Sequence, residues 1–244
     1  MYWRGALKSI AQAATPTKEI RAAMKSTNHL TLAASVLALS CGLVAAVQAQ
    51  QTPMSFFISS VGKNGGDLGG LDGADAHCNA LAKAAGSTLT NWRAYLSTTA
   101  PGGDEGVNAR DRIGKGPWHN VKGVMIAMDV NDLHSAGNKI DKQTGLTEKG
   151  EALPGSGDQG NVHDILTGSD PMGLYSTAGG DTNCGNWTKG TDGSAIVGHH
   201  DRIGLSKTTR HMSFWNSSHG SRGCSPDLLK ASGGGGLIYC FVAN

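Results

Sequence analysis

The chain has 244 residues, a formal net charge of +2, 36 glycines and only 5% aromatic residues. Its near-neutral balance gives no nucleic-acid footprint. So much glycine with so few aromatics excludes a mainly helical or mainly sheet interior and leaves a loop-rich fold.

From Met24 the chain reads Met-Lys-Ser-Thr-Asn-His, an apolar stretch from Leu30 to Val47, and then Val47-Gln48-Ala49. This is the pattern of an export signal with cleavage after Ala49. Arg4, Lys8, Lys18 and Arg21 precede Met24, so residues 1–49 read as an N-terminal extension and signal peptide whose true start is Met24. Cys41, in Leu37-Ala-Leu-Ser-Cys41, offers a second reading as a lipoprotein acceptor, the one route to membrane attachment. The apolar stretch is short for a bilayer span. The leader holds five of the 21 basic residues and one of the 19 acidic ones, so the remainder carries 16 against 18, about −2. Residues 50–244 suffice for a single domain. Such a domain is expected to be secreted, periplasmic or on the outer surface of a bacterium.

Within that domain, Ser55-Phe-Phe-Ile-Ser-Ser-Val61 is rich in aromatic and β-branched residues and predicts the first strand. A glycine-rich loop, 62–70, follows. Asp72 is placed to cap a helix over Asp72–Ala85, with Ala76, Leu81, Ala84 and Ala85 at helical spacing, Cys78 upon it and Gly86 as its stop. Asn91–Ser97 and Gly123–Met128 read as strands. Between Asp129 and Ser213 the periodicity is poor, and long ordered loops anchored by Trp187, Ile196, Val197 and Ile203 are expected. Strands near Met212–Asn216 and Gly236–Val242 close the chain. Cys78, Cys184, Cys224 and Cys240 follow the leader, and an even count in an exported chain reads as a disulfide framework with three connectivities open.

Gly73-Ala-Asp-Ala-His-Cys78, Trp92-Arg-Ala-Tyr-Leu-Ser97, Gly168-Ser-Asp-Pro171, Cys184-Gly-Asn-Trp187 and Leu237-Ile-Tyr-Cys-Phe241 occur in the order found in endostatin domains. Over most of Met54–Asn244 the chain resembles that family, and especially bacterial relatives of the leptospiral endostatin-like surface proteins. The resemblance implies an α+β, C-type-lectin-like (endostatin-like) fold, with mostly antiparallel strands, one or two helices and long ordered loops. It also implies two nested disulfides, Cys78 to Cys240 and Cys184 to Cys224. The family's zinc-binding histidines have no matching positions here.

Trp215-Asn216 before Cys224 is also similar to a C-type lectin's sugar-binding segment. The calcium ligand that should follow is replaced by Ser217, and no Glu-Pro-Asn or Gln-Pro-Asp tripeptide completes a hard-oxygen shell. A core role for Trp215 is the competing reading. His199-His200-Asp201, His211 and His219 offer zinc-binding imidazoles, but no His-Glu-x-x-His pattern arranges them, and surface histidines are the simpler reading. No nucleophile elbow or phosphate-binding glycine fingerprint stands in the right setting. The segment from His199 to Arg222 is locally basic, and its Arg202, Lys207, Arg210 and Arg222 could dock anionic polysaccharide or extracellular-matrix protein. The expectation is therefore a non-catalytic adhesion or recognition domain without cofactor or bound metal, with Arg202, Lys207, Arg210, Trp215, Asn216 and Arg222 as candidate ligand-binding residues. The rival readings are a periplasmic metal-dependent hydrolase using the late histidines and a ligand-free envelope protein.

Overall fold

Leu237-Ile-Tyr-Cys-Phe-Val242 is a continuous apolar run. In an extended backbone its alternate side chains must leave opposite faces, so both faces of this strand call for cover. The computed structural model describes residues 53–99, 106–204 and 214–244. The expected leader with Cys41, together with Lys207, Arg210 and His211, lies outside the described residues. The elements in chain order are β1 (Phe56–Ile58), α1 (Gly70–Ala84), β2 (Trp92–Ala94), α2 (Ala109–Arg112), β3 (Trp118–His119), β4 (Met125–Ala127) and α3 (Val130–Leu133). They continue with β5 (Asp164–Leu166), β6 (Ile196–His199), β7 (His219–Gly220), α4 (Pro226–Lys230) and β8 (Gly234–Val242). A single left-handed turn, Cys184–Trp187, separates β5 from β6, with φ of 51°, 59°, 56° and 67° at its four residues.

The long strand β8 is the hub of the main sheet. It pairs antiparallel with β1, placing Phe57 opposite Cys240, and with β2, placing Ala94 opposite Cys240. It runs parallel to β5, which pairs antiparallel with β6, which in turn pairs antiparallel with β7. One face of β8 sends Ile238 and Cys240 into a core with Phe57, Trp92, Trp187 and the inner side of α1. The other sends Leu237, Tyr239 and Phe241 into a second core with Phe56, Tyr95, Trp118 and Trp215. Both cores exclude water from large side chains, each worth about 1.5–3 kcal/mol when buried. The fold is thus mixed α+β with mostly antiparallel strands.

Helix α1 buries Ala74, Cys78 and Ala82 on one face, one helical turn apart. It begins slightly earlier than expected: Asp72 lies in its first turn, where its charge meets the positive end of the helix dipole, and supplies no cap. Gly86, at φ 82°, follows Ala85 and ends the helix in the left-handed conformation that glycine adopts without strain. The buried Asp75 carboxylate joins α1 to β2. It accepts hydrogen bonds from Arg93 at 2.7 Å, Arg112 at 2.8 Å and the Ala94 amide at 2.8 Å.

Two expectations are corrected here. Of the strand expected near Met212–Asn216, Met212 and Ser213 lie outside the described residues, and Trp215 and Asn216 form a bend that turns the indole into a core. The stretch expected to be loop throughout contains β5 and β6, which at three and four residues are too short to show a period. Among the described residues no helix is long and apolar enough to cross a membrane.

Disulfides join Cys78 to Cys240 and Cys184 to Cys224, the nested pairing. Formed bridges fit an oxidising compartment. The first fastens α1 to the central strand across 162 residues, and the second ties the left-handed turn to the loop before α4 across 40. From loop-closure entropy these bridges restrict the unfolded chain by up to about 5 and about 4 kcal/mol. Replacing Cys78 and Cys240 together with serine should therefore lower the urea midpoint, with a loss of about 2–5 kcal/mol. The Cys184 and Cys224 double serine variant should lose less. Equilibrium unfolding decides the order, and the reverse ranking would contradict this account.

Candidate functional site

The short strands β5, β6 and β7 bring three imidazoles around one carboxylate. Asp164, the first residue of β5, lies directly opposite His199 at the end of β6, while His219 of β7 lies opposite Val197. Residues two apart on a strand share a face, so Val197's side carries His199 as well, and His219 comes beside it. His163 immediately precedes β5 and stacks on His199, with ring centroids 4.2 Å apart and planes 15° from parallel. Gly198 permits this arrangement: a Cβ there would lie 1.7 Å from the Trp215 carbonyl oxygen, so only glycine lets that backbone pass.

The Oδ1 atom of Asp164 lies 3.3 Å from His163 Nε2, 3.2 Å from His199 Nε2 and 3.5 Å from His219 Nε2. The Nε2 atoms of His199 and His219 are 3.0 Å apart. None of the three approaches to Asp164 has hydrogen-bond alignment, and both of its oxygens are buried without such a bond. Burial pushes the Asp164 carboxyl up, but His199, His219 and His163 outweigh it and hold the group below the usual carboxylate range. Behind His163, Asp201 Oδ1 lies 3.1 Å from Nδ1, and the same carboxylate accepts from the Ser156 and Ile203 amides. Burial raises Asp201 too, yet His163 and those two amides more than offset it and leave it well below the ordinary value.

This cluster forms the foot of a cleft of about 350 Å³, lined among others by Ser156, Asn161, His219, Arg222 and Ser232. Asp164 and His199 are almost wholly enclosed, whereas the His219 side chain is 31% exposed and connects them to solvent. Chemically, the arrangement can share protons between imidazoles and carboxylate, hold a cation among nitrogen and oxygen donors, or offer donors to a polar ligand. His163, Asp164, His199 and His219 are the residues able to hold a metal.

Of the four described residues expected to bind ligand, only Arg222 lines this cleft. Arg202 is half-buried and turned to the backbone, donating from Nε to the Ile140 carbonyl and from Nη2 to Asn138 Oδ1. Lys207 and Arg210 lie outside the described residues. Trp215 and Asn216 are 2% and 0% exposed, so they present no surface to a ligand. Trp215 donates to the Leu133 carbonyl, and Asn216 Nδ2 donates to Tyr95 Oη and to the Asp170 and Pro171 carbonyls. Of the histidines considered for zinc, His199 and His219 enter the cluster. His200 is buried beside it, and burial pushes its pKa down to about 4. Sequence reasoning missed His163 and Asp164. The available signal was a charged residue opening the apolar run Ile165-Leu166, where a strand buried on both faces should carry none.

No family model matches this chain, and no curated protein matches it.

The Asn216 network includes a further histidine. His134 lies 2.7 Å from the Val130 carbonyl through Nδ1, which must therefore donate, and 2.7 Å from Tyr95 Oη through Nε2. Burial lowers its pKa, and the neutral ring completes the chain of hydrogen bonds. With His134 and His200 neutral in the native state, the unfolded chain binds protons that the folded one does not as pH falls below about 6.5. Stability should decline from there toward the His200 value of about 4. Urea midpoints at about pH 7.5 and about pH 5 test this, and a His134→Asn variant should show a shallower decline, since one histidine contributes at most about 1.4 kcal/mol per pH unit. A midpoint that does not fall between those two pH values would contradict it.

Proposed function

We propose that the protein is an exported, non-catalytic recognition domain of the C-type-lectin-like, endostatin-like class, whose ligand face is the histidine and aspartate cleft. One observation carries the reading: a nearly inaccessible carboxylate is kept among three imidazoles at the foot of an open cleft. A buried ionic cluster adds little stability compared with apolar packing, so its place in a cleft points to a ligand. The architectural part of the proposal draws support from the nested disulfides and from where the shared motifs fall. Four of the five lie on α1, β2, the left-handed turn and β8, the pieces that build the core facing α1, and the fifth, Gly168–Pro171, lies in the loop after β5.

The proposed ligand is a glycan, met by hydroxyl-bonding groups such as Ser156, Asn161 and Ser232 and by the exposed Arg222 guanidinium at the rim. Arginine is suited to carboxylate or sulfate because its planar fork donates two parallel hydrogen bonds. Adhesion to anionic polysaccharide or to glycan-bearing matrix protein follows as the biological role. A second reading, metal-dependent hydrolysis, is favoured by the three converging imidazoles. A hydrolytic zinc ordinarily has three protein ligands and an open position, and His163, Asp164 and His199 each offer one donor atom within 4.8 Å of the others.

Binding to immobilised heparin and to a neutral polysaccharide, measured at low and high salt, tests the proposal. Anionic-glycan binding should weaken with salt. Arg222→Ala should lower affinity about tenfold, the loss of one charge-assisted hydrogen bond of about 1.5 kcal/mol. Equal affinity in the variant would remove Arg222 from the ligand face. Turnover of a glycoside, ester or peptide by the zinc-loaded protein would favour the hydrolase.

A further inference from the structure

The tautomers of two of the three cleft histidines follow from their outer partners. His163 Nδ1 faces Asp201 Oδ1 at 3.1 Å, and His219 Nδ1 lies 3.1 Å from the Gly220 carbonyl oxygen. Both partners accept, so both Nδ1 atoms carry the proton. In the neutral rings each Nε2 is then an acceptor, and the two lie 3.3 and 3.5 Å from Asp164 Oδ1, which also accepts. Acceptors thus crowd a buried oxygen that has no aligned hydrogen bond. Protonating the imidazoles would give Asp164 donors, but it would crowd imidazolium charges around a single carboxylate, with two of the Nε2 atoms only 3.0 Å apart. A divalent cation resolves both conflicts by accepting all of these lone pairs at once.

Four of the six separations agree with this solution, and His163, Asp164 and His199 each offer one donor atom within 4.8 Å of the others. A metal–donor bond of about 2.05 Å in a tetrahedron places neighbouring donors about 3.3 Å apart. Oδ1 lies 3.2, 3.3 and 3.5 Å from the three Nε2 atoms, and His199 Nε2 lies 3.0 Å from His219 Nε2. The outer shell also has the required form, since metal-binding histidines donate their other N–H to a carboxylate or carbonyl that fixes ring and tautomer. Asp201 and the Gly220 carbonyl occupy those positions. Three imidazole nitrogens and one carboxylate oxygen suit a borderline-soft ion such as zinc over calcium or magnesium, which prefer all-oxygen shells.

We infer that His163, His199, His219 and Asp164 form a binding site for a divalent transition-metal ion of the zinc class, with Asp201 as the residue that positions His163. The ion would tie β5, β6 and β7 together at their shared face and present a positive centre at the foot of the cleft. The inference rests on the reading of this cleft as the functional site, but not on the ligand being a glycan.

The purified protein, stripped with EDTA and dialysed, is titrated with Zn(II) alone. The expected result is about one tightly bound zinc per chain, with a rise in the thermal midpoint that Mg(II) and Ca(II) do not produce. Co(II) should give visible d–d absorption of tetrahedral intensity. His219→Gln, at the most exposed of the donors, should fold and lose zinc affinity by at least about tenfold, and Asp201→Asn should lose about 10- to 100-fold. His77→Gln, on α1, should bind as the parent does. Circular dichroism of His219→Gln distinguishes lost ligation from lost folding. Substoichiometric zinc with an unmoved thermal midpoint, or equal zinc affinity in the parent and folded His219→Gln, would overturn the inference. Zinc uptake without glycan binding would keep the metal site and reject the glycan ligand. EDTA-insensitive glycan binding in a protein that takes no zinc would do the reverse.

Discussion

The structure depends on one strand that must be covered on both faces. β8 alternates Leu237, Tyr239 and Phe241 with Ile238 and Cys240, and each set enters a different core. Burying one face alone would leave several large apolar side chains in water, at about 1.5–3 kcal/mol each. The remaining elements answer that demand. β1 and β2 satisfy the backbone of its C-terminal half, and β5 pairs with residues in its first half. α1 closes one face and is fixed there by the bridge from Cys78 to Cys240. Since β1 is the first described strand and β8 the last, the pairing that organises the fold is also among its most distant in sequence. Such non-local contacts carry a large loop-closure entropy, and the disulfide removes part of it from the unfolded chain.

The cleft follows from the same hub. β5 is held parallel to β8, and its register shifts between Asp164 and Ile165. Ile165 and Leu166 then pack into the two cores, while Asp164 is turned toward β6 and β7. The rigid sheet therefore positions the carboxylate, while the more open His219 faces the cleft. An ionic cluster on strands is held more firmly than one on loops, as a converging donor set requires.

Much of the scaffold was legible from residues because it obeys simple periodicities. The α1 positions recur at helical spacing, the terminal strand is a single apolar run, and four cysteines after an expected export signal predict bridges. The bridge partners became readable only through the endostatin-like order of motifs, since spacing alone permits three connectivities. The middle of the chain was opaque for a physical reason. Strands of three or four residues contain too few alternations to reveal a period, and β5 and β6 take their stability from pairing with neighbours that are remote in sequence.

The candidate site was half legible for a related reason. His199 and His219 drew attention as histidines, but the residue that draws them together is Asp164, which looks like any other acidic residue until its strand is known to be buried. Trp215 and Asn216 show the converse: a lectin-like dipeptide suggested ligand contact, yet the indole fills a core and the amide holds Tyr95 and the 170–171 carbonyls. Charge separates the two cases. The Asn216 amide nitrogen has three partners inside the protein and its buried oxygen, though without a partner, is neutral, whereas Asp164 is a buried charge that faces three imidazoles without one aligned hydrogen bond. A neutral amide anchored through its nitrogen explains folding, and a buried charge whose bonding is incomplete calls for something the polypeptide does not supply.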